Sequence, residues 1–329
     1  MLRLLDRNPR VNALNVVAGF QPPPRFADAR LSNYLPNPHE PTQSSARNVV
    51  HKFAQGAPPV KKSLLRKPKP VVGQGIYLDG GFGVGKTHLL ASLWHEHPGT
   101  RAFASFVEYT NLVGAVGFER AVDLLATYDL ICIDEFELDD PGDTVLMATL
   151  LQRLVERGVR LAATSNTLPD KLGQGRFAAD DFLREIQGLA AHFNIVRIDG
   201  PDYRHRDAVE AARPLQFAEL MSIAERPNVS LDAFEDLDEH LASVHPSAYG
   251  AIVEGVERVA ISDLETISHQ ANALRWVVFV DRLYDRQIPV SYSGVSAMRL
   301  FTEDMMRGGY RKKYLRCLSR LSALTREEL

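Results

Sequence analysis

Gly80-Gly81-Phe82-Gly83-Val84-Gly85-Lys86-Thr87 packs four glycines ahead of a lysine and a hydroxyl residue, in the spacing G-x-x-x-x-G-K-T. It follows Gly75-Ile76-Tyr77-Leu78, which reads as a strand, and opens a stretch from Lys86 to His95 that reads as a helix. That context gives the pattern a mechanism. Glycines at 80, 83 and 85 reach backbone angles closed to other residues. Successive N–H groups then curl around an anion at a helix N-terminus, where the dipole also favours negative charge. Lys86 reaches the β- and γ-phosphates of a nucleotide, and the Thr87 hydroxyl ligates Mg²⁺. The candidate nucleotide-binding stretch is therefore Gly80, Gly81, Phe82, Gly83, Val84, Gly85, Lys86, Thr87 and His88. A plain strand-to-helix turn with an incidental Lys-Thr is the alternative.

Two further stretches answer the first. Leu130-Ile131-Cys132-Ile133-Asp134-Glu135 is an apolar strand that ends in two acids. In a parallel sheet this places both carboxylates at the carboxyl edge, where ligands of doubly wound folds bind. Asp134 is the candidate for the Mg²⁺ shell, and Glu135 for polarising the attacking water. Solvated acids at a strand end are the alternative. The next strand closes with Ala162-Ala163-Thr164-Ser165-Asn166. Asn166 first, and Ser165 second, are candidates to hydrogen-bond the water or the γ-phosphate; alone, this would be a turn-forming Ser-Asn. No Asn-Lys-x-Asp guanine reader occurs in the chain.

Short apolar β-runs alternate with helical periodicity on either side of these stretches, the signature of a parallel sheet wrapped by helices. Arg101 to Tyr109 reads as a strand with some helix, and Asp129 to Ile133 as a buried strand. Asp140-Pro141 supplies a cap and first-turn proline for a helix whose stripe is Leu146, Leu150 and Leu154, ending at Gly158. Arg160 to Thr164 and Asn194 to Ile198 read as strands. The fold class is α/β, a P-loop NTPase core over residues 71–205. Residues 1–70 form a proline-rich segment with one helix, near Ser44 to Gln55. Its basic run Lys61, Lys62, Arg66, Lys67, Lys69 reads as a solvated linker or an electropositive contact surface. Residues 206–329 read as mainly helical, with an acidic run from Asp232 to Glu239. A long helix is expected from Asp263 to Asp285, and a last one carries Arg307, Arg311, Lys312, Lys313, Arg316 and Arg320.

The whole chain of 329 residues has 38 Lys and Arg against 41 Asp and Glu, a formal charge of −3, with 45% apolar residues. This excludes a disordered polyelectrolyte and a uniformly basic nucleic-acid coat. Two cysteines, Cys132 and Cys317, offer no disulfide framework and fit a reducing compartment. The longest obvious apolar run, Trp276 to Val280, is far short of a membrane span, and Met-Leu-Arg-Leu-Leu is broken by Asp6, Arg7 and Pro9 before a secretory core can form. A cytoplasmic protein is the expectation. His95 and His97 point to opposite helix sides, which argues against a zinc pair, and Cys132 reads as a small buried strand residue.

Arg176, in Gly173-Gln174-Gly175-Arg176-Phe177, is the leading candidate for an arginine finger inserted from a neighbouring subunit, with Arg184 second. Taken together, Gly75–Leu78, Cys132–Phe136, Ala163–Asn166, Gly-Arg-Phe before Phe182-Leu183, Asp202-Tyr203-Arg204, Leu283-Tyr284-Asp285 after Arg275, and Tyr314–Leu321 resemble a known family. It is the group of AAA+ ATPases that includes the bacterial cell-division protein ZapE and the mitochondrial lactation-elevated ATPase. Pro41-Thr42-Gln43-Ser44 is similar to the N-terminal segment of that family, more weakly. The resemblance implies an AAA+ core with a C-terminal helical lid, ATP and Mg²⁺ as ligands, and a homo-oligomer with a finger in trans. It makes Arg275 the candidate second sensor and Arg204 the runner-up. For ZapE-like members it implies cell division, acting on FtsZ at the constriction ring. The chain departs from the family at Arg184, where a proline is usual, at Leu274-Arg275 in place of twin arginines, and at Phe103-Ala-Ser-Phe106 in place of a histidine-rich strand. The competing readings are a helicase-loader-type ATPase that tracks nucleic acid with the basic C-terminal helix, and a module that holds ATP without hydrolysing it.

Overall fold

The computed structural model describes residues 2–9, 17–56, 75–81, 83–136, 141–166, 188, 191–201 and 211–326. The chain divides into two compact units. One gathers Met1–Asn12, Pro23–Arg25 and Asp207–Leu329; the other holds Ala13–Pro22 and Phe26–Arg206.

The second of these contains the glycine-rich stretch. Its elements in chain order are α1 (Pro41–Ala54), β1 (Gly75–Gly80), α2 (Lys86–Glu96), β2 (Arg101–Ser105), α3 (Phe106–Val116), α4 (Phe118–Leu125), β3 (Leu130–Asp134), α5 (Pro141–Glu156), β4 (Arg160–Ser165) and β5 (Phe193–Ile198). The five strands form one parallel sheet in the order β2-β3-β4-β1-β5. Successive strand residues point to opposite faces, and the core follows that rule. Tyr77, Ile131, Ile133, Leu161 and Ala163 pack with α3, α4 and α5 on one face. Ile76, Leu78, Cys132, Ala162 and Ile198 pack with α1 and α2 on the other. Helices on both faces explain why the central strands read as unbroken apolar runs. Cys132 is fully buried, and burial pushes its thiol well above the ordinary range.

The ambiguous stretch from Arg101 to Tyr109 is a strand that turns directly into a helix. Ser105 ends β2 and caps α3: its hydroxyl accepts from Glu108 N–H at 3.4 Å, and the Glu108 carboxylate accepts from Ser105 N–H at 2.8 Å. That reciprocal pair satisfies two amides at the helix start. The N-terminal helix begins at Pro41, earlier than expected, with the proline in the first turn where its missing N–H costs nothing.

The other unit is helical around a small sheet that the sequence reading did not place. Helix α6 (Phe217–Ala224) precedes β6 (Val229–Ala233), which is followed by α7 (Phe234–Ser243), β7 (Arg258–Leu264), α8 (Gln270–Asp285), β8 (Val290–Gly294) and α9 (Arg311–Arg326). The strands are parallel, in the order β6-β7-β8. The helix expected from Asp263 to Asp285 is corrected accordingly: it starts at Gln270, and Asp263 belongs to β7. Arg258-Val-Ala-Ile pairs with Val229–Asp232 on β6, Val259–Ile261 pairs with Val290–Tyr292 on β8, and Leu264 pairs with Gly294, so the strand runs to Leu264 and the helix starts only after it. The last basic helix is also split. Glu303–Arg307 is a short helix of its own, and α9 starts at Arg311.

Residues at the extreme N-terminus serve this unit, not the α/β one. Leu2 bridges Ser230 on β6, Leu4 is fully buried in the core, and Leu4 N–H donates to Asp232 Oδ2 at 3.0 Å. The Arg7 guanidinium donates to the carbonyls of Ile252 and Glu254, at 2.7 Å each.

Candidate functional site

Because every strand of the larger sheet runs the same way, the carboxyl ends of the neighbouring strands β3, β4 and β1 lie along one edge. Glu135 and Asp134 come from the first, Asn166 follows the second, and Gly80 ends the third.

The loop after β1 is built for an anion. Gly83 and Gly85 have φ of 72° and 88°, in the left-handed region. Gly85 is the N-cap of α2 and carries no side chain to cap the first turn. The loop is backed by residues far upstream. Tyr34 is buried, its hydroxyl donates to the Val84 carbonyl at 3.1 Å, and its ring lies where a side chain on Gly85 would go. His88, the last residue of the candidate stretch, turns its ring toward the same segment: Nε2 lies 3.0 Å from Asn33 Oδ1 and 3.2 Å from the Arg30 carbonyl. Both partners are acceptors, so Nε2 carries the proton.

Lys86 is 9% exposed, and its ammonium donates to the carbonyls of Gly80 at 2.9 Å and Gly81 at 2.5 Å and to Asn166 Oδ1 at 2.9 Å. A buried ammonium requires such oxygens. The set also links the glycine loop to the residue after β4. Thr87 Oγ1 donates to Asp134 Oδ1 at 3.1 Å, linking the loop to the end of β3. The hydroxyl and carboxylate oxygens are hard donors of the kind Mg²⁺ takes one or two at a time while keeping water, so the residues fit that cation.

Thr164 was not among the sequence candidates. Its hydroxyl donates to Asp134 Oδ1 at 2.5 Å and accepts from Glu135 N–H at 3.0 Å. Strand alternation carried the signal: Thr164 and Asn166 lie two residues apart, whereas Ser165, offered as second choice, falls between them on the alternate face. Tyr34 left no such trace, because nothing local ties it to a loop fifty residues away.

Other candidates fall elsewhere. Arg275 lies on α8 in the other unit, where its Nη2 donates to Asn272 Oδ1 at 2.6 Å. Phe82, Arg176, Arg184, Arg204, the cap Asp140 and the basic run from Lys61 to Lys69 lie outside the described residues. In α9, Arg316 and Arg320 are engaged by Asp281, at 3.1 and 2.5 Å, so two of the basic helix's charges are spent inside the unit. No helix among the described residues is long and apolar enough to cross a membrane.

The chain is similar to several known proteins. The profile of the AFG1-like ATPase family matches residues 12–225 and 213–329. The cell division protein ZapE of Escherichia coli (strain K12) is 27% identical over 301 residues, covering 78% of this chain and 79% of that protein. Lactation elevated protein 1 homolog B of Danio rerio is 29% identical over 207 residues, 53% of this chain and 38% of that protein. Among solved structures, the replication initiator DnaA bound to AMPPCP and single-stranded DNA matches 54% of this chain and 52% of its own, with a TM-score of 0.42 and 15% identity. The DnaC helicase loader matches 53% of this chain and 99% of its own, with a TM-score of 0.38 and 16% identity. With its glycine loop, paired strand-end acids and parallel sheet covered by one family pattern almost from end to end, the chain belongs to the AFG1-like ATPases.

Proposed function

We propose that this protein hydrolyses ATP in a Mg²⁺-dependent reaction at the carboxyl edge of β3, β4 and β1, and uses the turnover to remodel a protein partner. The observation that carries the reading is the convergence of three strand ends on one loop: Lys86 on Asn166, and Thr87 on Asp134. Amides of the glycine loop and the Lys86 ammonium bind the phosphates. Thr87 and Asp134 hold the metal, which when bound neutralises phosphate charge and orients the γ-phosphoryl group. Glu135 accepts a proton from the attacking water, and Asn166 positions that water or the phosphate. Lys86 gives its three N–H groups to the Gly80 and Gly81 carbonyls and to Asn166 Oδ1, so an arriving phosphate exchanges for at least one of these bonds beside the Asn166 amide.

The remaining assignments rest on position after the sensor strand, for the finger, and on the family likeness. Arg176, with Arg184 second, is the finger supplied across a homo-oligomer, and Arg275 or Arg204 is the second sensor. The similarity to the cell division protein ZapE supports a part in cell division, and FtsZ is the client that the family resemblance implies. The engagement of Arg316 and Arg320 by Asp281 disfavours the nucleic-acid alternative, because those cations are not offered to phosphates.

Glu135→Gln is the test. It should retain ATP and lose turnover by about 10²-fold or more, the range for losing a general base; an unchanged rate eliminates the role of Glu135. In the same assay, a rate per subunit that rises with protein concentration supports a finger in trans, and a flat one counts against it. Stimulation by FtsZ supports the division-ring client, and its absence removes that client while leaving the ATPase.

A further inference from the structure

We propose that Thr164 is a positioning residue for both acids at the end of β3: it fixes the rotation of the Asp134 carboxylate and holds Glu135 in the backbone conformation from which it acts. The inference rests on the ATPase reading above and concerns a residue to which that reading gives no part.

A threonine hydroxyl has one proton and two lone pairs. Here the proton goes to Asp134 Oδ1 at 2.5 Å, a charge-assisted bond of the short, strong class. One lone pair takes Glu135 N–H at 3.0 Å. The carbonyl of the same residue takes Phe136 N–H at 2.7 Å. Three consecutive residues of one strand end are thus tied to a single residue of the next strand. Thr164 is 2% exposed and fixed in the middle of the sheet, opposite Leu78 on β1.

The tie has a backbone strain to hold. Glu135 has φ of 54°, a left-handed conformation that a non-glycine residue keeps only where its surroundings over-determine it. Thr164 grips it on one side. On the other, Phe136 is fully buried, its ring packed edge-on against Phe106 and Tyr77. Asp134 Oδ1 receives Thr87 as well, so the two hydroxyls meet on one oxygen and set the carboxylate plane. Without the Thr164 hydroxyl, Asp134 keeps its charge and the Thr87 bond but loses one of the two donors that set its orientation, and the Glu135 amide loses this acceptor.

Thr164→Val keeps the shape and removes the hydroxyl; Thr164→Ser restores it. Three measurements are made: steady-state ATP hydrolysis, the Mg²⁺ concentration for half-maximal binding of a fluorescent ATP analogue, and the thermal unfolding midpoint. For the valine variant we expect kcat to fall about 10–100-fold, the half-maximal Mg²⁺ concentration to rise about tenfold, and KM for ATP to change less than about threefold, in line with loss of a group that orients a metal ligand. The serine variant should lie within about threefold of wild type on all three. A merely structural threonine would lower the midpoint of both variants and leave kcat and the Mg²⁺ dependence of the folded fraction unchanged, which overturns the proposal. So does a serine variant as impaired as valine, or a loss confined to KM. Should the valine variant not fold, Thr164→Ala read by the same Mg²⁺ titration decides. Wild-type protein that retains no nucleotide with Mg²⁺ overturns the ATPase reading and this inference together; wild-type binding with no difference between the valine variant and wild type overturns this inference alone.

Discussion

Replacing Gly85 by alanine probes how the upstream segment holds the phosphate loop. Gly85 has φ of 88° and ψ of 19°, a left-handed conformation that costs an L side chain about 1–2 kcal/mol. A Cβ there would lie 2.6 Å from Tyr34 Cε2 and 3.5 Å from its Cζ and hydroxyl oxygen. The ring is 6% exposed and has to withdraw, breaking the hydroxyl bond to the Val84 carbonyl. Leaving a buried carbonyl without that donor costs about 1–3 kcal/mol, so the whole substitution should destabilise the unit by about 2–5 kcal/mol. A double-mutant cycle separates the two parts. In a Tyr34→Ala background only the backbone part remains, about 1–2 kcal/mol. Native-state hydrogen exchange on peptides from Gly75 to Glu96 is the appropriate assay, since a chain of two compact units need not unfold in one step. At 1.4 kcal/mol per tenfold, exchange should accelerate roughly 30-fold to a few thousand-fold when Tyr34 is present and roughly 5- to 30-fold in the Tyr34→Ala background. Equal acceleration in both backgrounds would refute the role of Tyr34. An effect under about 0.5 kcal/mol in both would refute the left-handed backbone too.

Two predictions concern the C-terminal unit, both read by denaturant unfolding through Trp276, which stacks on Phe234 there, in a Trp94→Phe background. Leu4→Ala removes a fully buried side chain from that core and should cost about 2–5 kcal/mol; an unchanged midpoint would show that the N-terminal residues do not belong to this core. Asp285 is half-buried, and the loss of solvent around it raises its carboxyl from 3.8 to about 6 against the pull of Arg320, Arg282 and Arg25. Between those values the folded chain binds more protons than the unfolded one, so stability falls as pH rises from about 4 to about 6, by up to about 3 kcal/mol. Asp285→Asn should flatten that fall, and an identical pH profile in the variant would be inconsistent with it.

The site was legible where its chemistry is written locally. Glycine spacing, a strand ending in Asp134-Glu135 and a strand ending in Thr-Ser-Asn each lie within a few residues, and backbone sterics within such windows are decided by the residues themselves. The partners across the sheet were not. Thr164 matters because β4 lies beside β3, and Tyr34 because its segment folds back on Val84; neither adjacency has a local cause. The small sheet escaped notice for a related reason. Arg258–Leu264 is almost wholly buried, so it lacks the alternation that marks a strand with one wet face, and its pairing residues lie about thirty positions away on either side.

By itself the sequence determined a glycine-rich phosphate loop between a strand and a helix, a strand ending in two acids and a strand ending in Thr-Ser-Asn on an α/β sheet, because those depend on residue type and short spacing. Only the tertiary structure decided that Thr87 and Thr164 meet on Asp134 Oδ1, that the first residues complete the C-terminal core, and that a side chain on Gly85 would meet Tyr34 as well as strain its own backbone. Contacts between residues far apart in the chain depend on how whole elements pack, and no short window of sequence carries that information.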